Sequence, residues 1–490
     1  MSTGRAIRRT LPWAALLGVM AVATRRVGQQ PPTGAVGAVS RTRRNLAMGS
    51  LLTRRVADRA FTGARTALAS DAQRRRLQAE RERRDAEDVV SSLGDMKGAL
   101  MKLGQMASYL DEGMPAPMRD ALAQLRTDAP PMPGDLALTE IERSLGRPLD
   151  ELFSSIDPEP IAAASIGQVH RATTLDGRAV AVKVQYPGIA AAVAADLDNT
   201  ETLGAILTMV FPGLDATSLV TELRDRLTEE LDYVHEAANQ RLFADYYRGH
   251  PHIWVPDVIA ELSSEQVLTT EFVEGDPFES VESLSQERQN HYAEVLYRFI
   301  FRSLNRQHAF NGDPHPGNYL LASDGRLAFI DFGLVRYFEP AEVDQFASLI
   351  RAMISRDPAA FRSAAEHHGV LRPGAPFDDH EVFEWFSGYY ELILDDQEIT
   401  VTAEYAGGLL RKTFDAKSNA ILKHTNVPPT FALIQRINMG VFSLLARIEA
   451  TANWRRISEE LWEWTDAPPS TPLGHEEAAW LARRGAVGSS

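Results

Sequence analysis

Asp313-Pro314-His315-Pro316-Gly317-Asn318 and, 13 residues beyond Asn318, Asp331-Phe332-Gly333 carry the strongest structural signal in the chain. Between them, residues 319–321 and 327–330 have strand character and flank the turn Ser323-Asp324-Gly325, so a strand, a turn and a strand separate the two motifs. Either motif alone is weak, since a short Asp/Pro/Gly run is also an ordinary turn. In this order, separated by a hairpin, they form a strong pair.

Phosphoryl transfer on a kinase-like scaffold requires this set of groups. One Asp orients or deprotonates the acceptor hydroxyl, an Asn five residues later holds Mg²⁺, and the Asp of D-F-G holds the metal that bridges the phosphates. Asp313, Asn318 and Asp331 stand at those spacings, with Asp313 and a strand lysine as the catalytic pair and Asn318 and Asp331 as metal ligands. His315 is read as a hydrogen-bonded structural residue, because Asp313 already fills the role of base.

Upstream, Val180-Ala181-Val182-Lys183 has the form of the strand whose Lys reaches the α- and β-phosphates. An apolar strand excludes an unpaired ammonium, so Lys183 requires a carboxylate partner. Glu230 and Glu236, on the following helix, are the two candidates.

Composition bounds the remainder. The chain has 490 residues, 44% hydrophobic and 24% charged, which is ample for two packed lobes with appended segments. The absence of cysteine excludes disulfides, thiolate metal sites and thiol nucleophiles. Residues 1–90 carry 18 Arg, no Lys and 7 acidic residues, a charge of +11, which leaves −26 on the rest. An acidic body with a basic arm argues against nucleic acid as a partner and for an anionic membrane surface. Residues 11–24 form an apolar run of about 14, short of the roughly 20 that span a bilayer. A cytoplasmic protein attached peripherally through this arm is the expectation.

The apolar pattern divides the chain into a basic arm (1–90), a helical extension (91–150), a first lobe (151–273), a helical second lobe (274–465) and a polar tail (466–490). In the first lobe, residues 167–172 and 179–185 form a hairpin around Asp176-Gly177. A long helical stretch (189–247) and strands at 255–259 and 266–271 follow. Beyond residue 284 nearly everything except the 319–330 hairpin reads as helix. The fold class is α+β with two lobes.

With these motifs in place, the chain resembles the UbiB or aarF-domain-containing family of atypical, protein-kinase-like ATP-binding proteins, associated with ubiquinone biosynthesis. The resemblance rests on Lys102-Leu103-Gly104-Gln105 (K-x-G-Q), Ala162-Ala163-Ala164-Ser165, Glu230-Leu231-Asp232 (E-x-D) and the Asp313 and Asp331 motifs, and it covers residues 93–340. It implies ATP and Mg²⁺ as cofactors and a lipid or quinone precursor as a ligand. It implies that Ala162, Ala163, Ala164 and Ser165 replace the Gly-rich phosphate loop, and that Glu236 pairs with Lys183. Backbone groups of Glu271 and Val273 meet adenine, and Thr270 lines the back of its pocket. Lys102, Gly104 and Gln105 belong to a regulatory flap helix held by Glu230 and Asp232. Departures are equally informative. No G-x-G-x-x-G precedes Lys183, and no A-P-E motif follows Gly333, where a helix is due to open at Glu339-Pro340. Without a long activation loop, phosphorylation of proteins in trans is not expected. A nucleotide-binding scaffold with little turnover and a soluble small-molecule phosphotransferase are the alternatives.

Overall fold

The computed structural model of the chain describes residues 133–164, 166–190, 228–414, 420–426 and 428–487. All belong to the larger of two compact units, Gly98–Met114 with Arg126–Ser490. The basic arm and Lys102, Gly104 and Gln105 therefore lie outside the described residues, as does Ser165.

The first lobe is built on helix α1 (Gly134–Leu145), strands β1 (Phe153–Ala163), β2 (Gly167–Thr174) and β3 (Ala179–Gln185), helix α2 (Tyr233–Tyr247), the short β4 (Ile253–Trp254) and β5 (Val267–Glu271). Four of these strands form one antiparallel sheet in the order β1-β2-β3-β5. Strand periodicity assigns the two faces. Val180, Val182 and Val184 point to one side, where they are fully buried with Ala137 and Ile141 of α1. Each such valine contributes about 1.5–3 kcal/mol of apolar burial. Lys183, at an alternate position, points to the other side, where Tyr233 and Ala237 of α2 pack with Leu268.

Two features differ from the sequence reading. Strand β1 precedes the first expected strand and contains Pro158 and Pro160, residues that speak against a central strand. It lies at the sheet edge, where a missing N–H removes no ladder bond, and its register shifts on either side of Pro160. Helix α1, assigned to the extension, packs into the core of the first lobe.

The second lobe contains β6 (Gly275–Pro277), α3 (Gln286–Gln307), β7 (Ala309–Asn311), β8 (Tyr319–Ala322), β9 (Leu327–Phe329) and β10 (Val335–Tyr337). Then come α4 (Pro340–Ile354), α5 (Pro358–His367), α6 (Asp379–Ser387), α7 (Glu391–Leu394), β11 (Ile399–Thr400), α8 (Ala403–Phe414), α9 (Pro429–Arg447), β12 (Thr451–Ala452), α10 (Trp454–Leu461) and α11 (Pro472–Val487). A small sheet runs β4-β9-β8-β6, and β7 pairs with β10. Helix α3 is the spine of this lobe, and its Phe299 stacks on Phe329 of β9. Helix α4 opens where the sequence placed it. Glu339 and Glu342 form a capping box around Pro340, satisfying N–H groups that the first turn leaves free.

Residues 466–490, expected as a polar tail, instead hold α11 with Leu473, Glu477 and Trp480 buried. An acidic residue in the middle of the buried stripe concealed it, since Glu477 sits there only because arginines meet it. Among the described residues, no helix is long and apolar enough to cross a membrane.

Candidate active site

Two β-ribbons bring the acidic motifs together. Helix α3 ends at His308, whose left-handed backbone (φ 49°) turns the chain into β7. Asn311 of β7 pairs with Val335 of β10, and the Gly312 N–H donates to Leu334 O at 2.7 Å. The segment before Asp313 is thereby held against the segment after Gly333. In the second ribbon, Tyr319 of β8 opposes Phe329 of β9, and the Ile330 N–H donates to Asn318 O at 3.0 Å. Asn318 and Asp331 consequently sit at the mouth of one hairpin.

Side chains fix the loops further. Asn318 Nδ2 donates to Asp313 O at 3.0 Å, leaving Oδ1 as the oxygen that can face a ligand. Asn311 links the motifs: its Nδ2 donates to Asp331 O at 2.8 Å, and its Oδ1 accepts from the Asp313 N–H at 3.3 Å. Asp331 Oδ1 accepts from the Gly333 N–H at 3.0 Å. His315 Nδ1 accepts from the Gly317 N–H at 3.0 Å, the structural role expected of it. Phe332 is fully buried against Phe243 of α2.

Lys183 and Glu236 meet as one of the two sequence candidates required. Lys183 Nζ lies 2.7 Å from Glu236 Oε1, 3.0 Å from Oε2 and 3.5 Å from Asp331 Oδ2, and 5.0 Å from the centre of the Tyr233 ring. Burial opposes the ammonium charge, but the two carboxylates outweigh it and hold the Lys183 pKa well above its ordinary value. Glu236 is 2% exposed. Burial pushes its carboxyl up to about 7, with Asp331 adding to the shift and Lys183 opposing it. Two carboxylates thus share one ammonium.

Helix α2 also holds the second lobe. Asn239 Nδ2 donates to Phe332 O at 3.0 Å, and Tyr337 OH donates to Asn239 Oδ1 at 2.7 Å. Burial raises the pKa values of Tyr233 and Glu236, and the Glu230 charge adds the smallest of the contributions. Asp232 has a role that sequence reasoning missed: it caps α2, accepting from the His235 N–H at 2.9 Å. Their expected partner Lys102 lies outside the described residues.

The Ala-rich segment is shorter as a loop than its sequence suggests. Ala162 and Ala163 are the end of β1, paired with Val169 and Gln168, and the Ala164 N–H donates to Gly167 O at 2.8 Å. The Ala164 N–H is therefore committed within the turn. Gly167 is required by close approach, because a Cβ there would stand 2.3 Å from Val184 O. At the other end of the sheet, the Glu271 N–H donates to Asp257 O at 2.9 Å. Its carbonyl accepts from the Thr270 hydroxyl at 3.4 Å and keeps a second lone pair for a ligand. The N–H of Val273, a buried residue, has no acceptor among the described residues.

Asn311, Asn239, Tyr233 and Tyr337 were not singled out from the sequence. Each acts through a backbone carbonyl, an amide or a ring face reached only in three dimensions. The position of Asn311, two residues before Asp313, was the one available signal.

Comparison with known proteins agrees with this geometry. The model of the ABC1 atypical kinase-like domain matches residues 124–365. The chain is 33% identical over 374 residues to the mitochondrial atypical kinase COQ8B of Rattus norvegicus, covering 75% of this chain and 70% of that protein. It is 35% identical over 292 residues to a chloroplastic aarF domain-containing protein kinase of Arabidopsis thaliana. It spans 40% to 52% of the length of that protein and two Synechocystis relatives. Among solved structures, the Mycobacterium tuberculosis Rv3197–erythromycin complex matches with a TM-score of 0.58 and 32% identity, covering 79% of this chain and 97% of that one. With its kinase-like α+β fold, the chain belongs to the ABC1 (UbiB/aarF) family of atypical kinases.

Proposed function

We propose that the protein binds Mg²⁺-ATP between its lobes and cleaves or transfers the γ-phosphate in support of isoprenoid quinone lipid metabolism at a membrane surface. The observation that carries the reading is the Lys183 ammonium held 2.7 Å from Glu236 and 3.5 Å from Asp331. A cation fixed by one buried carboxylate and facing a second is placed to meet phosphate oxygens.

The other residues take roles their geometry permits. The Glu271 carbonyl and Val273 N–H at the lobe junction would meet the adenine amino group and ring nitrogen, with Thr270 behind them. Asn318 Oδ1 and Asp331 would supply two oxygen ligands. No cluster of three or more His, Asp or Glu suited to a metal occurs among the described residues. Two ligands suit Mg²⁺, which fills its octahedron with water and substrate phosphates. When bound, Mg²⁺ would neutralise charge on the phosphates. Asp313, tethered through its backbone to Asn311 and Asn318, would orient the attacking hydroxyl or water. Beyond Gly333 the chain enters β10, paired to β7, and then α4 at Pro340. That short path leaves no room for a long activation loop between Gly333 and Pro340, which favours water or a small molecule as the acceptor.

The test is Mg²⁺-ATP turnover by the full chain with and without liposomes of anionic phospholipid. Turnover that rises with liposomes supports the reading. Absence of turnover in both conditions by a protein that binds ATP would favour the scaffold alternative.

A further inference from the structure

Leu473, Glu477, Trp480 and Arg484 recur every three or four residues along α11, forming one face that combines apolar, acidic, aromatic and basic groups. The acidic member is sunk into α3. Glu477 accepts from Arg302 Nε at 2.6 Å and Nη2 at 2.7 Å, and from Arg298 Nη1 at 2.8 Å, with His250 Nε2 at 3.4 Å. Arg298 also holds Glu294 and Glu460, each at 2.7 Å.

The rest of that face meets the C-terminal end of α2. The Trp480 ring lies parallel to Tyr247 and edge-on to His250, 4.6 Å away, and its Nε1 donates to Arg248 O at 3.2 Å. Arg484 Nη1 donates to Asp245 O at 3.1 Å and to Tyr246 O. The last carbonyls of a helix have no partner within it, and the negative end of its dipole favours a cation. Helix α2 ends in a turn with left-handed Gly249 (φ 71°), in which the His250 N–H donates to Tyr247 O at 2.9 Å and serves the last helical carbonyl. Helix α11 supplies side-chain donors to the carbonyls of Asp245, Tyr246 and Arg248.

Helix α2 joins this end to the site. It carries Glu236 and Asn239 in its first two turns, and its 15 residues form a stiff rod about 22 Å long. We propose that α11 is a clamp that positions the Lys183–Glu236 pair through α2, with Glu477, Trp480 and Arg484 as positioning residues that touch no phosphate. The inference rests on the nucleotide reading above.

Two variants address it. Arg484→Ala removes donors from an exposed side chain with little risk to folding. Gly474→Ala crowds the start of α11, because its Cβ would stand 2.5 Å from Glu460 Oε2 and 2.7 Å from Arg298 Nη2, so that either the helix or the Arg298–Glu460 pair must shift. For each variant, ATP turnover is measured together with hydrogen exchange of the α2 and α11 amides. The expected result is a kcat lower by roughly tenfold, KM for ATP changed less than threefold, faster exchange over residues 236–240, and recovery of kcat in Arg484→Lys. A purely structural helix would lower thermal stability and leave kcat per folded molecule unchanged. The clamp is overturned if α11 amides exchange freely in Gly474→Ala while α2 exchange stays at the wild-type rate. A wild-type protein that binds ATP without turnover would refute the turnover part of that reading, and the exchange data would still decide the clamp.

Discussion

Replacing Glu477 with alanine removes the carboxylate that α11 inserts between Arg298 and Arg302. Arg298 keeps Glu294 and Glu460, but Arg302, 4% exposed, loses its carboxylate partner. Breaking a buried pair from one side leaves an uncompensated charge, at a cost of about 3–5 kcal/mol. The pH dependence has a definite sign. Burial opposes the Glu477 charge, but His250, Arg302 and Arg298 outweigh it and hold the carboxyl far below its ordinary 4.5. A depressed acid contributes stability that is present above pH 4.5 and lost as pH falls toward the lower folded value. The gap between wild type and Glu477→Ala should therefore be full at pH 7 and shrink by about 1.4 kcal/mol per pH unit below 4.5. Urea denaturation of both proteins at pH 7 and pH 3.5 measures it. A gap under about 1 kcal/mol at pH 7 would refute the reasoning, since surface pairs are of that size. An equal gap at both pH values would show that the charge is not its source.

Asn311→Ala cuts the link between Asp331 O and the Asp313 N–H, so kcat should fall roughly tenfold or more with ATP affinity held within a few-fold; steady-state kinetics with an ATP titration reads both. Glu236 has the opposite linkage to Glu477: with its folded pKa raised to about 7, its contribution is complete below the ordinary 4.5 and is lost as pH rises through 7. Glu236→Gln should abolish that decline in a denaturation series from pH 5 to 8, and an unchanged decline would assign it to another group. Deletion of residues 1–90, with their 18 Arg, should abolish most co-sedimentation with anionic liposomes and its salt sensitivity. Equal sedimentation of the shortened protein would place the membrane contact in the kinase-like body.

The site was legible in the sequence where chemistry is tied to spacing. Asp313, Asn318 and Asp331 could be read because a hairpin of fixed length returns the chain to the same place, and Lys183 because an ammonium in a valine strand demands a partner. The choice between Glu230 and Glu236 needed the family resemblance, and the geometry agrees with it. Less legible was whatever depends on distant backbone. Strand β1 carries Pro158 and Pro160, which a strand tolerates at a sheet edge, and an edge position is not written in the local sequence. Asp232 read as a charge for a flap, whereas an N-cap is defined by the helix it starts. Helix α11 was hidden because Glu477 lowers the hydropathy of its buried face, and its arginine partners lie about 175 residues away.

Mg²⁺-ATP binding that depends on Asp331 is the central claim, and a thermal-shift titration of wild type and Asp331→Asn tests it most directly. Wild type should gain stability with increasing Mg²⁺-ATP, by about 2.7 kcal/mol at a ligand concentration 100 times Kd. The variant should lose most of that gain, because the carboxylate charge that faces Lys183 and the metal is gone. An equal shift in both proteins would contradict the assignment of the site.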